Sequence, residues 1–185
     1  MTPSPIALRR ISTLIQAGGI GAYPTEGVYG LGCDPLNERA IARVIALKGR
    51  ADNKGLIVIA ASQRQLDPLV HWPEGFTLET GPRPITWVVP VAEGLPPLLT
   101  GGRKTIAIRV TNHPPVIALC NAAGMPLVST SANRSGRPAC LRDWQIRKQF
   151  RHSVDWILPA KLGNQRGPSE IREAATGRVL RPAGG

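Results

Sequence analysis

Polar side chains come directly after two of the apolar, strand-like segments of this 185-residue chain. In AYPTEGVYGLGCDP (22–35) the apolar lead-in stops at a proline, and Thr25 and Glu26 follow it among closely spaced glycines. In STSAN (129–133) hydroxyl side chains follow the apolar residues PLV. Because ligand-binding residues of α/β proteins gather where strands end, and glycine lets the backbone approach a small ligand, these patterns predict one binding site.

Positively charged residues stand beside the ends of other predicted elements. Lys48 and Arg50 close a predicted helix, where we expect both side chains to project into solvent and to face one anion. Arg109 lies near the end of the strand-like TIAIRV. Each pattern has a structural alternative, since STSAN is also typical of a hydroxyl-stabilised turn and a cationic helix end is typical of a C-terminal cap. Their joint presence in one basic chain favours an anion-binding site, because hydroxyls and exposed N–H groups can cradle an anion.

Other common catalytic and nucleotide-binding motifs are not matched. GGRKT (101–105) resembles the end of a P-loop, but Arg103 interrupts the required Gly-Lys-Thr and no helix is predicted after it. The stretches GGIGAY and GVYGLG fail the GxGxxG spacing. The three cysteines include no CxxC pair and the histidines are not at metal-ligand spacing, which favours reduced packing cysteines and no metal site.

The charge of the chain is strongly positive and unevenly distributed. The formal net charge is +11, and residues 131–185 contribute +7 of it, from 11 basic and 4 acidic side chains. Such a field attracts polyanions and favours a nucleic acid or nucleotide partner; the alternative is a protein that merely uses arginine where others use lysine. No apolar run approaches the roughly 18 residues of a membrane span, and the N-terminus has the pattern of an amphipathic helix rather than a signal peptide. We therefore expect a cytoplasmic protein with no membrane partner.

Hydrophobic periodicity divides the chain into interleaved helices and strands. Helices are predicted over residues 5–17, 37–48, 62–70, 113–123 and 143–150, with Asn37 and Asp143 as caps. Strands are predicted over 20–24, 55–60, 85–90, 105–110, 126–131 and 154–158, with a hairpin over 169–182. The glycine-rich segment 27–32 and the segment 93–104 are predicted to be loops. Some connections are too short for a helical crossover, which predicts a mixed sheet in one α/β domain over 1–185.

Five segments, taken in this order and spacing, resemble the YrdC-like family and, within it, the short TsaC-type form. They are AYPTEGVYGLGCDP (22–35), ALKGR (46–50), GLIVIA (55–60), RVTNHP (109–114) and PLVSTSANRSG (126–136). The resemblance runs from the N-terminal helix to the closing LRP. It implies a YrdC-like twisted mixed sheet with flanking helices around a basic, concave cavity.

The same resemblance implies an activity. The chain would make L-threonylcarbamoyladenylate from L-threonine, bicarbonate and ATP and release pyrophosphate, with Mg²⁺ carried by the nucleotide. Proteins of the TsaD, TsaB and TsaE type would then transfer the threonylcarbamoyl group to adenosine 37 of ANN-decoding tRNAs; whether tRNA contacts this chain directly stays open. Such a reaction depends on fixed cations and dipoles and needs no nucleophilic side chain.

The resemblance also implies roles for individual residues. Lys48 and Arg50 would be the catalytic cations that hold the triphosphate and the carbamate. The residues implied to bind threonine are Thr25, Tyr29, Arg109, Thr111, Ser129 and Ser169. The residues implied to bind ATP, besides the two catalytic cations, are Ser131, Asn133 and Arg181. Glu26 is either a part of the pocket or a buried structural carboxylate.

The chain departs from the usual pattern of the family at several positions. Gly27 stands where many relatives have the last threonine of PTET. Arg83 lies between the two prolines of GPRP, where relatives often have glycine. PSEI (168–171) replaces a Ser-Thr-Val pattern, which leaves the role of Ser169 less firmly implied.

Two other functions compete with the synthase. The chain could be a tRNA- or double-stranded RNA-binding protein without synthase activity, gripping phosphates in its basic cavity, because few aromatic side chains are present for base stacking. It could also be the YrdC-like domain of a hydrogenase-maturation carbamoyltransferase. That reading is disfavoured because the sequence has neither an acylphosphatase-like region nor paired CxxC motifs.

Overall fold

The structure is a computed structural model that describes residues 3–79, 85–165, 167 and 169–184. Arg83 and the GPRP segment lie outside the described residues. The helices are α1 (Pro5–Gln16), α2 (Glu38–Lys48), α3 (Pro97–Thr100), α4 (Pro114–Ala123) and α5 (Asp143–Phe150). The strands are β1 (Gly21–Pro24), β2 (Tyr29–Gly32), β3 (Ile57–Ala60), β4 (Ile85–Pro90), β5 (Thr105–Val110), β6 (Leu127–Ser131), β7 (Trp156–Ile157), β8 (Glu170–Glu173) and β9 (Val179–Arg181).

The strands of the described residues form one mixed sheet in the order β7-β1-β2-β6-β3-β5-β4-β8-β9. Strand β1 pairs antiparallel with β2, and β4 pairs antiparallel with β5. Strands β3 and β5 are parallel, as are β1 and β7. The mixed sheet predicted from the short connections is therefore confirmed.

Helices cover both faces of this sheet. One apolar cluster includes Ile15 of α1 and Leu119 of α4, packed against Ile59 of β3. The other includes Ile41 of α2 and also Val58, the neighbour of Ile59 in the same strand. Successive side chains of a strand point to opposite faces, so the sheet lies between two helical layers.

The ends of α2 place the predicted cations. The side chain of Asn37 caps the helix, since its Oδ1 accepts a hydrogen bond from the N–H of Ala40 at 3.0 Å. Gly49 ends the helix with a φ of 60°, in the left-handed region that glycine tolerates best. Lys48 is thus the last helical residue, and Arg50 lies just beyond the turn.

Four sequence predictions need correction. Residues 29–32, predicted to be loop, form β2, because a tight turn closed by Thr25 N–H to the carbonyl of Val28 (3.0 Å) folds them back on β1. Residues 97–100 form the single-turn helix α3 inside a predicted loop. The predicted helix over 62–70 is two short 3₁₀ turns. The cap of α5 is Arg142, whose N–H donates to the side chain of Gln145 at 2.9 Å, with Asp143 as the first helical residue.

Two structural features are absent from the described residues. None of their helices has both the length and the apolar character needed to cross a membrane. In this part of the chain, histidine, cysteine, aspartate and glutamate side chains nowhere gather in threes as a metal site would need.

Candidate functional site

A cavity of about 210 Å³ opens where the β1–β2 turn, the ends of β5 and β6, and the β8–β9 hairpin meet. Its walls contain seven of the eleven site residues that were predicted from the sequence. These are Thr25, Arg50, Arg109, Ser129, Ser131, Ser169 and Arg181. These seven residues bring three guanidinium groups and four hydroxyls together from segments that are far apart in the sequence.

The register of the sheet explains why β5 and β6 contribute to the same cavity. Ser129 pairs with Ile57 of β3, and Ser131 pairs with Gly30 of β2. Arg109 of β5 pairs with Ile59 of β3, so β3 separates the serines from the arginine by one strand. Neighbouring strands are about 4.8 Å apart, which brings side chains from β5 and β6 within reach of one small ligand.

Lys48 is buried rather than exposed, with a relative accessibility of 5%. Its ammonium group donates hydrogen bonds to the carbonyl oxygens of Ser131 and Asn133, the latter at 2.9 Å, and to Asn133 Oδ1 at 3.2 Å. The prediction that Lys48 projects into solvent is therefore wrong: the carbonyls of the STSAN loop draw the ammonium group inward. Burial, and then the nearby charge of Arg50, lower the pKa of Lys48 to about 8.

The loop after β6 is held in shape by the same asparagine. Asn133 Oδ1 also accepts a hydrogen bond from Ser131 Oγ at 2.6 Å, and Asn133 Nδ2 donates to the carbonyl of Arg137 at 2.7 Å. Lys48 and Asn133 do not line the cavity themselves. They form the support behind Ser131, which does.

Arg50 reaches the cavity from beyond the end of α2. Its Nε donates to the carbonyl of Lys54 and its Nη2 to the carbonyl of Gly55, both at 2.8 Å. Burial, and then the charge of Arg103, lower the pKa of Arg50. Two backbone carbonyls thus fix the plane of the guanidinium group on the cavity wall, and a fixed guanidinium suits bidentate binding of phosphate or carboxylate.

Arg109 forms an ion pair with Glu26, and both residues line the cavity. Arg109 Nη2 lies 3.2 Å from Glu26 Oε2, and Thr111 Oγ1 donates to Glu26 Oε1 at 2.6 Å. Glu26 and Thr111 are 7% and 1% exposed. Both alternatives for Glu26 hold, since this buried carboxylate also lines the cavity, whereas Thr111 lies behind it and outside the lining.

The β8–β9 hairpin closes the C-terminal side of the cavity. Arg181 Nη2 donates to the carbonyl of Ser169 at 2.8 Å, and Ser169 Oγ shares a hydrogen bond of 2.7 Å with Thr86 Oγ1. Burial, and then the positive charge of Arg109, lower the pKa of Arg181. Because the two guanidinium groups are this close, an anion placed between them would be attracted by both positive charges.

Tyr29 faces a different and larger cavity of about 740 Å³. Its hydroxyl lies 3.2 Å from the carbonyl of Ala160, which is also in that wall. The two cavities share Gly27, Val28, Gln165 and Gly167. The smaller cavity is the better candidate for chemistry, because three arginines meet there. Sequence reasoning missed the contribution of Gln165 and Gly167, which belong to no recognisable motif.

The arrangement can bind two anionic groups side by side. Its lining includes Arg50 and the Ser131 hydroxyl, and also the neighbouring pair Arg109 and Arg181. Fixed cations and hydroxyl donors in a partly enclosed site stabilise charge that develops or moves during a reaction.

Comparison with known proteins gives a consistent result. Residues 13–183 match the model of the Sua5/YciO/YrdC family, which carries the description "telomere recombination". The threonylcarbamoyl-AMP synthase of Nitrosococcus oceani is 47% identical over 178 residues, covering 94% of this chain and 96% of that protein. The threonylcarbamoyl-AMP synthase of Pseudomonas aeruginosa strain UCBPP-PA14 is 48% identical over 174 residues, covering 92% and 94%.

Solved structures share the fold. P. abyssi Sua5 complexed with L-threonine superimposes with a TM-score of 0.86 at 31% identity, over 96% of this chain and 54% of that one. The chain thus spans about half the length of that Sua5. E. coli YciO superimposes with a TM-score of 0.82 over the whole chain and 92% of its own, at 22% identity, which supports the fold alone.

Proposed function

Because the chain belongs to the Sua5/YciO/YrdC family, we propose that it is an L-threonylcarbamoyladenylate synthase, a nucleotidyltransferase that uses L-threonine, bicarbonate and ATP. The observation that carries the proposal is the cavity in which Arg50, Arg109 and Arg181 meet the hydroxyls of Ser129 and Ser131. Relatives named threonylcarbamoyl-AMP synthase support it at 47–48% identity over nearly the whole chain.

The reaction brings together groups that repel one another. The amine of threonine and bicarbonate give a carbamate and water. An oxygen of the carbamate attacks the α-phosphorus of ATP, and the bond to the β-phosphate bridging oxygen breaks to release pyrophosphate. Carbamate and triphosphate are both anions, so holding them in contact is the main task of the protein.

Two sets of cavity residues divide this task. We assign the triphosphate to Arg50 and the Ser131 hydroxyl, with Lys48 supplying positive charge from behind the loop. We assign the carboxylate of threonine to Arg109 and Arg181, with Thr25 and Ser129 beside it. The α-phosphorus then lies between the two sets, where the carbamate oxygen reaches it.

Asn133, Thr111 and Tyr29 act from outside the lining of this cavity, whereas Ser169 belongs to it. Asn133 holds Ser131 and Lys48 in place, and Thr111 holds Glu26. Ser169 presents its carbonyl to Arg181. Tyr29, in the adjacent cavity, is assigned to the outer edge of the substrate site.

The wider role follows from the product. We propose that the adenylate serves the modification of adenosine 37 in ANN-decoding tRNAs, with transfer by proteins of the TsaD, TsaB and TsaE type in the cytoplasm. Mg²⁺ enters with the nucleotide, bound to its phosphates.

The test is an incubation with ATP, Mg²⁺, labelled bicarbonate and L-threonine. We expect pyrophosphate release that depends on threonine and bicarbonate, together with a labelled adenylate detected by mass spectrometry. Salt-sensitive RNA binding with no threonine-dependent pyrophosphate would instead support the alternative of an RNA-binding protein without synthase activity.

A further inference from the structure

The carboxylate of Glu26 is the centre of a buried polar cluster at the cavity wall. One oxygen accepts the Thr111 hydroxyl at 2.6 Å, and the other faces Arg109 Nη2 at 3.2 Å. Thr111 Oγ1 in turn accepts the N–H of His113 at 3.0 Å. None of these residues is more than 9% exposed, so the geometry of the cluster is set by the fold.

The cluster joins three separate parts of the chain. His113 Nε2 lies 3.1 Å from the carbonyl oxygen of Lys161. The backbone of Glu26 is tied to the same segment, because its carbonyl accepts the N–H of Gln165 at 2.9 Å. The cluster therefore connects the β1–β2 turn, the end of β5 and segment 161–165.

Arg109 needs such an arrangement to present its charge in one orientation. Its side chain has several rotatable bonds, and the nearby positive charge of Arg181 repels the Arg109 guanidinium group. Glu26 offsets that repulsion and engages Nη2. Arg109 Nε and Glu26 Oε2 are buried and have no hydrogen-bond partner among the described residues, so Glu26 holds the guanidinium group by the attraction of its charge at 3.2 Å.

We propose that Glu26, backed by Thr111, is a positioning residue that holds the Arg109 guanidinium for the carboxylate of the amino-acid substrate. This inference rests on the proposed function. It adds a residue that favours α-amino acids as substrates, because it orients the arginine that binds their carboxylate. Glu26 acts through Arg109, so its removal weakens binding of the amino acid and spares binding of the triphosphate at Arg50.

The test is a double-mutant cycle on Glu26→Gln and Arg109→Lys in the full chain. The first variant keeps the size of the side chain but places an amide against Arg109, and the second keeps the charge but loses the planar fork. Kinetic constants are measured by pyrophosphate release, with threonine and ATP varied separately, and unfolding is followed by circular dichroism. Asp155→Asn is the matched control, because Asp155 also pairs with an arginine, Arg43 at 2.9 Å, away from the cavity.

We expect Glu26→Gln to raise the KM for threonine about ten-fold, equivalent to about 1.4 kcal/mol, with the KM for ATP little changed. In the Arg109→Lys background the same substitution should add less than about two-fold, because residues that act as a unit are not additive. Thr111→Val should raise the KM for threonine by a smaller factor. Thr111→Ser, which keeps the hydroxyl, should have the wild-type KM for threonine. Asp155→Asn should leave both KM values unchanged.

The outcomes separate this inference from the proposed function. If the increases in the KM for threonine caused by Glu26→Gln and Arg109→Lys multiplied in the double variant, the positioning role would be overturned. Glu26 would then act on the substrate independently of Arg109. An equal fall in activity at all substrate concentrations, tracking lost stability, would also overturn it. A wild-type protein without threonine-dependent pyrophosphate release refutes the proposed function itself.

Discussion

Lys48 Nζ lies 2.9 Å from the carbonyl oxygen of Asn133, so the last turn of α2 is tied to the loop that follows β6. The same ammonium group also contacts the carbonyl of Ser131 and the side chain of Asn133. One buried charge therefore holds the loop that contains Ser131 and Asn133 in its conformation. Arg50, two residues further on, lines the cavity. The KGR sequence thus supplies, within three residues, a support for the loop and a residue of the cavity wall.

The first prediction concerns the stability that this tie provides. Lys48→Met keeps the length of the side chain but leaves three oxygen acceptors without their charged donor. We expect the free energy of unfolding to fall by about 2 kcal/mol, as for the loss of hydrogen bonds to a charged group. Urea denaturation followed by circular dichroism measures it.

Lys148→Met is the matched control, because Lys148 is exposed on α5. Its unfolding free energy should stay within about 0.5 kcal/mol of wild type. Equal stability of the Lys48→Met variant and the control would show that the buried ammonium group contributes nothing net.

A second prediction concerns pH. Burial lowers the pKa of Lys48 to about 8 from its ordinary value of 10.5, to which it returns on unfolding. Between these values the unfolded chain binds more protons than the folded one, so the contribution of Lys48 to stability rises with pH. The difference in unfolding free energy between wild type and Lys48→Met should therefore shift in favour of wild type from about pH 8 to about pH 10.5. A difference that stays flat or falls across this range contradicts the lowered pKa.

The third prediction concerns Arg50, whose guanidinium group is held by two backbone carbonyls. Arg50→Ala should lower the rate of adenylate formation about 100-fold, as when one preorganised donor to developing charge is removed, with the melting temperature nearly unchanged. Threonine-dependent pyrophosphate release reports the rate. Arg64→Ala, at an exposed position of a 3₁₀ turn, should behave as wild type, and an Arg50→Ala variant with full activity would remove Arg50 from the site.

The fourth prediction concerns Gly27, where many relatives have threonine. A Cβ atom there would lie 2.9 Å from the carbonyl oxygen of Gln165 and 3.2 Å from that of Gly167. Gly27→Thr must push Gln165 and Gly167 outward and should cost about 1–3 kcal/mol of stability. Thermal unfolding measures the loss, with the exposed Ala51→Thr as the control. If Gly27→Thr left the stability unchanged, Gln165 and Gly167 would have to move aside without a cost in free energy.

Much of the fold was predictable because its signals are local. Asn37 and Gly49 mark the ends of α2 by capping chemistry, and the alternation in TIAIRV marks β5. Strand β2 was missed because its glycines give no β-propensity signal. A Cβ on Gly32 would lie 2.3 Å from the carbonyl of Val128, so a long-range contact, invisible in the sequence, requires that glycine.

The members of the site were easier to predict than their positions. Motif matching brought together the arginines and serines that line the cavity. It could not show that Lys48 turns inward, because the acceptors that draw it there belong to residues 131 and 133, more than 80 positions away. The burial of Thr111 behind Glu26 likewise depends on how the β1–β2 turn meets the end of β5.

The most direct measurement is a crystal structure with L-threonine and a non-hydrolysable ATP analogue. The proposed function predicts the triphosphate and the threonine carboxylate in the cavity lined by Arg50, Arg109 and Arg181, with the triphosphate against Arg50 and the carboxylate against Arg109. Ligand density elsewhere on the protein, with this cavity empty, would contradict it.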